Sequence, residues 1–562
     1  MKRKLKQHWP AVAVWLAHLR FCLDLVRTHR LLRDLPDVCE PDAAGSNSGV
    51  VVFNLVRSYV PVELATEVLL ALKLRHIGQR VIVLYDDGVL THHDTLNKAD
   101  PSPFRAYYPL RRRLADLLLR RLAFYDDMFR PYSTYMDQAA VDITREQMTI
   151  GDGVVSGLDL SPDIQASLVR FYLSVADEAI LRREPDYERA HQMFLRNAAC
   201  SLVIAKAVYQ HEKPKVMVST HGIYSTWAPF SRYLKTQGVR VITFGLNGFN
   251  IDQLDWSVGE TACSKSDQGY FQQLVKQVAD QPQLRASILG RVRQCMDTRL
   301  SGQSNDVSRM GRSGSDHAAG YLDRVAQAAR EGRKLFCLFP NVMWDNATTN
   351  KESNRVFAGP SEWLVETTRF VAGAPDMVLV IRAHPAEHSW LGVRHGVRDI
   401  LRFHLGEEIF TNPGIILIPG SERMSSYRLF EFMTCGIVYN GTIGLELLYR
   451  DIPLLIGAKA AYSDMGFAYD VTSRDDYFKA LANPERIGKH QRKHRELARL
   501  FMYEYFIVHG VPMRLLSAER QAGLDHRAAS TDIWSDPSLD HIAAVTTGQR
   551  KHFQDNRQLN DA

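Results

Sequence analysis

The sequence predicts an α/β protein made of two domains, and three observations lead to this prediction. With 562 residues, the chain is longer than one hydrophobic core usually organises. Apolar runs of strand length alternate with helical segments in two separate stretches, residues 50–260 and residues 331–480. Between these stretches, residues 299–318 are polar and rich in Gly and Ser, as is typical of a linker or a mobile loop.

Two parallel sheets joined by a linker predict two Rossmann-like domains that face across a cleft, where open α/β folds bind their ligands. Helical extensions are expected at both ends of the chain. The expected segments are an N-terminal helical extension (1–40), a first α/β domain with a helical insertion (41–298), a linker (299–330), a second α/β domain (331–480) and a C-terminal helical tail (481–562).

The composition is that of a globular protein, with 45% hydrophobic and 23% charged residues. The net charge is only +6, from 69 basic and 63 acidic residues. This balance does not favour a nucleic-acid partner, and it suits an anionic substrate or an anionic membrane surface. The seven cysteines are scattered without a CxxC pair, which argues against a disulfide framework and a zinc site and favours a reducing cytoplasm.

The N-terminal segment is expected to be an amphipathic helix over residues 5–34, too short in its apolar part to span a bilayer. Two interpretations stay open at this point. The helix either docks on the body of the protein, or it attaches to the inner face of the cell membrane with Trp9 and Trp15 at headgroup level. The apolar residues expected near one helix face are Leu16, Leu19, Leu23 and Val26.

The first domain begins with a parallel βαβ unit. Residues 50–55 and 81–85 predict buried strands, and residues 61–76 predict a helix that Pro61 opens. The unit lacks the G-x-G-x-x-G spacing, so no dinucleotide site is predicted here. The other elements predicted in this domain are helical stretches at 104–147 and 161–211 and strands at 215–220 and 240–244.

The second domain shows the clearest alternation of strands and helices in the chain. It is followed by a tail that is predicted to be helical from about residue 475 to about residue 520. The predicted strands are 335–339, 377–381, 415–418, 436–439 and 453–456, and the predicted helices are 361–372, 426–433 and 442–450.

Polar residues follow three strands of the second domain, where a parallel sheet presents its carboxyl edge. Arg382 and His384 come directly after the strand at 377–381, and they could give charge and a hydrogen bond to a phosphate. The alternative for His384 is an imidazole packed at a domain edge. A loop from Gly457 through Tyr462 to Gly466 follows the last strand, and it is either a cover for a ligand or an ordinary surface loop.

The strand at 436–439 is followed by Gly441, Thr442 and Glu446. Gly441 would let the backbone approach a ligand, and Thr442 lies at the first turn of a helix, whose N–H groups favour phosphate. Glu446 follows Thr442 by four residues, which places both on one helix face, where a carboxylate could take ribose hydroxyls. The alternatives are simple N-capping for Thr442 and a solvated helix position for Glu446.

Five motifs within residues 335–480 belong together. They are Phe339 to Asp345, Ile381 to Pro385, Ser425-Ser426-Tyr427, Asn440 to Glu446, and the loop with Gly457, Tyr462 and Gly466. With these motifs the stretch resembles the capsule and lipopolysaccharide polysaccharide biosynthesis family, whose members are GT-B glycosyltransferases. The resemblance implies a GT-B fold and a CMP- or UDP-activated sugar donor. It also implies that the His-Pro element at His384 and the helix from Thr442 to Glu446 line the donor site.

The first domain is expected to hold the acceptor and a general base. His221, at the end of the strand at 215–220, is the leading candidate, and Asp86 and Asp87 after the strand at 81–85 are the alternatives. Ordinary loop polarity would explain all three residues equally well. No Asp-x-Asp motif follows a strand, so we expect no metal and no cofactor, with His384, Arg382 and the helix after Thr442 offsetting the charge of the leaving phosphate.

The function predicted from these features is transfer of a sugar from a nucleotide-activated donor to a growing surface polysaccharide or glycolipid. The enzyme is expected in the cytoplasm, with peripheral attachment to the inner membrane face left open. Two rival functions are a nucleotide-sugar epimerase of the same architecture and a non-catalytic scaffold for polysaccharide assembly.

Overall fold

The computed structural model describes residues 10–35, 49–91, 103–122, 124–246, 253–259, 267–303, 319–345, 354–390, 392–516, 523, 525 and 533–554. These residues form two compact units. Unit 1 takes in the described residues within Met1–Ser167, Arg189–Ser264 and His509–Ala562, and unit 2 takes in those within Leu168–Glu188 and Lys265–Val508. Residues 304–318 of the expected linker and the expected membrane-facing Trp9 lie outside the described residues.

Unit 1 is built on a seven-stranded sheet with the order β14-β8-β7-β6-β1-β2-β3. Its five strands from β7 to β3 are parallel, and β8 and β14 run antiparallel to their neighbours. A separate short hairpin joins β4 to β5. The strands are β1 (Val51–Leu55), β2 (Val81–Tyr85), β3 (Phe129–Pro131), β4 (Val154–Val155), β5 (Leu158–Asp159), β6 (Val216–Thr220), β7 (Arg240–Leu246), β8 (Gln253–Val258) and β14 (Gly510–Pro512).

Unit 2 is built on a five-stranded sheet in which all strands are parallel, in the order β11-β10-β9-β12-β13. Almost every residue of these strands is buried, because helices cover both faces of a parallel sheet. The strands are β9 (Lys334–Phe339), β10 (Met377–Arg382), β11 (Ile415–Ile418), β12 (Cys435–Val438) and β13 (Leu454–Ile456).

The helices in the first half of the chain begin and end where the sequence predicts in the βαβ unit, and they are more broken elsewhere. They are α1 (Pro10–Arg33), α2 (Pro61–His76), α3 (Pro103–Leu119), α4 (Tyr125–Met128), α5 (Gln138–Ile150), α6 (Ser161–Tyr172), α7 (Glu178–Leu181), α8 (Tyr187–Glu212) and α9 (Tyr224–Thr236), with a 3-10 turn at Tyr132–Thr134.

The helices in the second half of the chain mostly cover the sheet of unit 2. They are α10 (Gln268–Ala279), α11 (Pro282–Leu300), α12 (Ala319–Arg330), α13 (Pro360–Ala372), α14 (Ala386–Ser389), α15 (Val397–Leu405), α16 (Ile443–Tyr449), α17 (Arg474–Ala482), α18 (Pro484–Lys493), α19 (Arg495–Tyr503) and α20 (Pro537–Thr546). Short 3-10 segments lie at Glu407–Thr411, Ser426–Leu429 and Ile533–Ser535, and a π-helical turn lies at Glu504–Val508.

The predicted fold class is confirmed, since both units are α/β structures of the Rossmann type. The prediction that they face across a cleft concerns their relative placement and stays a prediction. The expected long helix over 104–147 is wrong, because β3 interrupts it and joins the edge of the sheet beside β2. The expected helix over 426–433 is only a 3-10 turn at Ser426–Leu429.

The division of the chain into units also differs from the expected one. The segment Leu168–Glu188, expected in the first domain, belongs to unit 2, as do the described residues within Lys265–Val508. The expected C-terminal tail is not a simple extension, since β14 pairs with β8 and α20 packs into the core of unit 1 through Leu539 and Ile542. Periodicity in the sequence shows that a segment is helical. It does not show which unit the helix packs against, because that depends on contacts with residues distant in the sequence.

Helix α1 is a part of unit 1 and not a detached extension. Its residues Phe21, Leu25, Leu32 and the following Leu35 belong to the same buried cluster as strands β1 and β2. The helix therefore docks on the body of the protein through this buried face, while attachment of its outer face to a membrane stays a prediction. Among the described residues, no helix is both long enough and apolar enough to cross a membrane.

Candidate functional site

Both sheets reverse their strand order at one point, and this reversal is where open α/β folds bind ligands. Across the sheet of unit 2, from one edge to the other, lie the third, second, first, fourth and fifth strands of that unit in the chain. The direction in which the chain adds strands therefore reverses between β9 and β12. The parallel strands of unit 1 follow the same order, and the reversal falls between β1 and β6. The helices that follow the two central strands lead to opposite faces, which leaves the strand ends uncovered.

In unit 2 the reversal point is bridged by two asparagines. Asn341 follows β9, Asn440 follows β12, and the Asn341 Nδ2 atom donates to the Asn440 Oδ1 atom at 2.6 Å. The next residue, Gly441, approaches so closely that a Cβ atom there would lie 3.0 Å from Asn341 Oδ1. The sequence singled out Gly441, but it gave no role to Asn341, which only the pairing of β9 with β12 brings to the site.

Thr442 precedes α16, as predicted, but its hydroxyl does not cap the helix. The side chain makes no capping hydrogen bond, and the residue is half-buried. Simple N-capping, the alternative weighed for this residue, is therefore not what the geometry shows. Thr442 directly follows Gly441 at the reversal point, where its hydroxyl could bond a ligand.

The loop after β13 is fastened to the reversal point by Tyr462. Its side chain is buried and its hydroxyl donates to the carbonyl oxygen of Gly441 at 2.8 Å. Burial holds the pKa of Tyr462 well above its ordinary value, so the phenol remains a donor. The ring leaves no space beside Gly444, where a Cβ atom would lie 2.0 Å from the Tyr462 hydroxyl. Tyr462 thus holds the backbone of Gly441 through a buried hydrogen bond, and its side chain is not an exposed group that could close over a ligand.

Glu446 is buried and paired with Arg299 of helix α11. The Arg299 Nη2 and Nε atoms donate to the same carboxylate oxygen, Oε1, at 2.8 and 3.2 Å. The Arg299 guanidinium also lies 4.6 Å from the ring centre of Phe506. The expectation that Glu446 is an accessible ribose ligand is not supported, because its charge is already matched inside the protein. The alternative of a solvated helix position is wrong for the same reason.

Arg382 is also turned inward, and the prediction that it adds charge to a phosphate site is corrected here. Its guanidinium donates to four backbone carbonyl oxygens at 2.7–3.2 Å. Three of these carbonyls belong to the loop that follows β11, so Arg382 holds this loop against the end of β10. The four acceptors are the carbonyl oxygens of Ala383, Pro419, Glu422 and Met424.

His384 presents an uncharged N–H donor at the carboxyl end of β10. Its Nδ1 atom accepts from the backbone N–H of Ala386 at 3.1 Å, so in the neutral ring the proton is on Nε2. The pKa of His384 is lowered by lost hydration among the surrounding protein atoms and by the neighbouring Arg382 charge. Although protein atoms surround much of the ring, His384 keeps contact with solvent, and among the described residues none accepts from Nε2. A neutral imidazole in this tautomer can donate to a phosphate oxygen.

Ser425 and Ser426 lie at the 3-10 turn that replaces the predicted helix. The Ser425 hydroxyl accepts from the backbone N–H of Tyr427 at 3.4 Å and is exposed, while Ser426 is half-buried. This local bond explains why the chain turns here after β11. Nothing in the geometry of either serine links it to the asparagine pair.

In unit 1 the reversal point is bridged by Arg57 and His221. Arg57 follows β1, His221 follows β6, and the Arg57 Nη2 atom lies 2.9 Å from His221 Nε2. Arginine can only donate, so His221 Nε2 must accept, and the lone pair that a general base needs is occupied. Arg57 also donates from Nε to Glu63 Oε2 at 2.9 Å and stacks 5.2 Å from the ring centre of Trp227.

The backbone after β6 is held in an unusual conformation. His221, Gly222 and Tyr224 have φ angles of +55°, +68° and +70°, in the left-handed region that residues other than glycine seldom adopt. The N–H of His221 donates to the carbonyl oxygen of Phe244 at 3.0 Å, which fixes the turn against β7. Strain of this kind persists where the surrounding structure enforces it, and it concentrates at functional sites.

Two buried carboxyl groups lie behind the Arg57–His221 pair, and sequence reasoning missed both. Glu63 and Glu67 are one turn apart on α2, and burial raises the pKa of each. The pKa of Glu67 is raised further by Glu63, while Arg57 and the backbone amide of Thr220 partly offset the rise. Of the two carboxyl groups, Glu63 is the one that accepts hydrogen bonds from Arg57. A helix that is buried on every side gives no periodicity from which such residues could be found.

The two aspartates after β2 have different environments. Asp86 is buried, and its Oδ1 atom accepts from the backbone N–H groups of Gly88 and Leu90 at 3.0 and 3.1 Å, so it shapes the turn. Asp87 is half-buried and accepts from the N–H and the hydroxyl of Ser133 at 3.1 and 2.6 Å. Asp87 therefore keeps contact with solvent at the carboxyl edge of the sheet.

The described residues contain no group of three or more histidine, cysteine or acidic side chains arranged to hold a metal ion. The described residues of unit 2 line at least two recesses. A small one of about 90 Å³ lies beside Ala383, Glu387 and Gly420, next to His384 in the chain. A wider, open recess of about 620 Å³ lies beside Tyr469 and His490, in the region of α17 and α18.

No family model matches the chain, and no curated protein matches its sequence. Among solved structures, it is similar to the KpsC β-Kdo 2,7 transferase of Thermosulfurimonas dismutans, with 13% identity, 56% of this chain and 84% of that chain covered, and a TM-score of 0.32. It is also similar to S. aureus MnaA in a co-structure with UDP (12% identity, 90% and 99% covered, TM-score 0.25). A third is the UDP-forming α,α-trehalose-phosphate synthase of Burkholderia vietnamiensis (14% identity, 82% and 98% covered, TM-score 0.28).

These TM-scores are too low to carry an activity from those enzymes to this chain. A function for this protein therefore has to be inferred from the side chains at the two reversal points.

The packing of Tyr462 against Gly444 generates a stability prediction. Gly444→Ala would place a methyl group where the Tyr462 hydroxyl lies, and we expect the free energy of unfolding to fall by about 1–3 kcal/mol through overpacking. Gly290→Ala is the control, since that glycine lies in α11 with open space around it and alanine favours helices. Chemical denaturation measures both, and equal stability of the two variants would contradict the account.

Proposed function

We propose that the protein is a glycosyltransferase that moves a sugar from a nucleotide-activated donor to a surface polysaccharide or glycolipid acceptor. The observation that carries the proposal is the reversal point of unit 2, where β9 and β12 end in the Asn341–Asn440 pair beside Gly441. Uncharged hydrogen-bonding groups at such a point suit a nucleotide, whose base, ribose and phosphates all require directional partners.

His384 and Thr442 are the proposed contacts to the donor phosphates. The Nε2–H group of His384 donates without carrying a charge, so it can bind phosphate over a wide pH range. Gly441 lets the backbone come close to the ligand, and Tyr462 holds its carbonyl in place. The resemblance of residues 335–480 to capsule and lipopolysaccharide glycosyltransferases favours a CMP- or UDP-sugar as the donor.

The proposed reaction has a simple balance. The acceptor hydroxyl oxygen forms a bond to the anomeric carbon of the donor sugar, and the bond from that carbon to the phosphate oxygen breaks. The nucleotide leaves with the electron pair, and the hydroxyl proton passes to a base of the enzyme. A hydrogen bond from His384 to the leaving phosphate would strengthen as negative charge develops there.

We assign the base to Asp87 and a positioning role to His221. The lone pair of His221 Nε2 is engaged by Arg57, whereas Asp87 keeps contact with solvent and is oriented by Ser133. The other aspartate, Asp86, is buried and accepts from two backbone N–H groups through Oδ1. This choice departs from the order of candidates that the sequence alone favoured.

Product analysis separates this function from its rivals. We expect UDP or CMP to raise the melting temperature of the protein, and a nucleotide-sugar to be consumed only when an acceptor glycan is present. Conversion of the donor into an isomeric sugar without acceptor would instead identify an epimerase. If the protein binds no nucleotide, that result would contradict both enzymatic functions and favour a non-catalytic scaffold for polysaccharide assembly.

His384→Ala should lower turnover by about 100-fold, because a donor that acts mainly on the departing phosphate is lost. Donor binding should change much less, since the asparagine pair and Gly441 remain. His388→Ala is the matched control, because that histidine is exposed four residues further along. Steady-state kinetics and calorimetry check the prediction, and unchanged turnover in the His384 variant would contradict it.

Asp87→Asn should abolish most turnover while the affinity for nucleotide stays the same, because the amide cannot accept the acceptor's proton. Ser133→Ala should have a smaller effect, since it removes only the bond that orients Asp87. Asp142→Asn, at an exposed carboxylate of α5, is the control and should be fully active. If His221→Gln is inactive and Asp87→Asn is active, the base has been assigned to the wrong residue.

A further inference from the structure

Helix α1 carries a row of apolar side chains on its outward face. The residues of this row, the α1 stripe, are Trp15, Leu16, Leu19, Leu23 and Val26, with exposed fractions of 51%, 44%, 40%, 59% and 43%. A fully apolar outward face costs free energy in water unless another surface covers it. Because five apolar side chains are exposed together, the row is a candidate interaction surface.

The α1 stripe lies opposite the face that packs into unit 1. At 100° per residue, the buried Phe21, Leu25 and Leu32 share one side of the helix, and the stripe centres on the other side. The stripe runs from residue 15 to residue 26, which is about 17 Å along the helix axis. Since its inner face is anchored in the core of unit 1, α1 presents the stripe as a fixed, shallow ridge.

Arginines flank and continue the α1 stripe. Arg20 and Arg27 lie on its border, and Arg30 and Arg33 follow it on the same side towards the helix end. Arg30 and Arg33 are strongly exposed and both pair with the exposed Asp34, at 3.9 and 3.0 Å, and Arg20 has a carboxylate at 3.9 Å. Within residues 10–34, four arginines face two aspartates, so this surface is basic as well as apolar.

The neighbouring helix α3 packs against α1 and has the same character. Leu110 and Leu117 are exposed by 56% and 50%, and Arg113 and Arg120 are exposed beside them. The helices are joined by the buried Arg111, whose guanidinium lies 4.0 Å from the ring centre of Phe21 and donates to His18. The apolar and basic character therefore extends over two packed helices.

We infer that α1 binds an anionic phospholipid surface, with the helix lying flat and the α1 stripe entering the boundary between headgroups and acyl chains. Leucine and valine side chains would gain by leaving water, Trp15 favours the interface, and the arginines would pair with lipid phosphates. A second copy of this chain is a poorer occupant, because pairing two such faces would bring their arginines together. The inference does not depend on the sugar-transfer activity.

Vesicle binding by the full chain tests this inference. We expect the protein to sediment with vesicles of phosphatidylcholine and phosphatidylglycerol, and to bind far more weakly to phosphatidylcholine alone or in high salt. Leu19→Glu with Leu23→Glu should lower binding by more than tenfold, about the effect of losing two buried leucines. Arg30→Gln with Arg33→Gln should weaken binding to the anionic vesicles only.

Ile143→Glu with Ile150→Glu is the matched control, because these isoleucines of α5 are also exposed in unit 1, by 56% and 78%. That variant should bind vesicles like the parent protein. Equal losses in the two double variants, or no binding by the parent protein, would overturn the inference. So would sedimentation showing a parent dimer that Leu19→Glu with Leu23→Glu dissociates, since the stripe would then be covered by a second copy.

Discussion

The reversal of strand order between two adjacent parallel strands is the constraint on which the candidate sites depend. The strands on either side of it are joined by main-chain hydrogen bonds, but their following helices leave in opposite directions. Polar side chains at the uncovered strand ends need hydrogen-bond partners, and in both units the side chains that follow the two central strands bond to one another. Asn341 meets Asn440 in unit 2, and Arg57 meets His221 in unit 1.

The two reversal points differ in their charge. The unit 2 pair is neutral, and its supports, Tyr462 and the Arg299–Glu446 ion pair, are buried beneath it. The unit 1 pair carries the Arg57 charge, which Glu63 balances, next to a strained turn at His221.

The sequence predicted those features that depend on local patterns. Helix α2 begins at Pro61 and ends at His76 as expected, and β2 and β11 have their predicted bounds, because apolar runs and turn residues mark them directly. The positions of Gly441, Thr442 and His384 at strand ends followed from the same patterns. Strand β3 was missed because it has only three residues, and β14 because it pairs antiparallel at a sheet edge far from its neighbour in the chain.

Features that depend on distant partners could not be predicted. Glu446 looked like a ligand-binding carboxylate until Arg299, 147 residues earlier, was found to neutralise it. Arg382 looked available until the loop after β11 supplied its acceptors. The Arg57–His221 bond spans 164 residues and changes which group can act as a base. Strand pairing decides each of these contacts, and no single stretch of sequence contains it.

Amide hydrogen exchange of the full chain, with and without UDP or CMP, tests most directly whether unit 2 binds a nucleotide at its reversal point. We predict slower exchange in the segments that contain Asn440 to Glu446 and His384 to Ala386 when one of the nucleotides is present. Protection confined to the open recess beside Tyr469 and His490 would contradict it, as would unchanged exchange throughout unit 2.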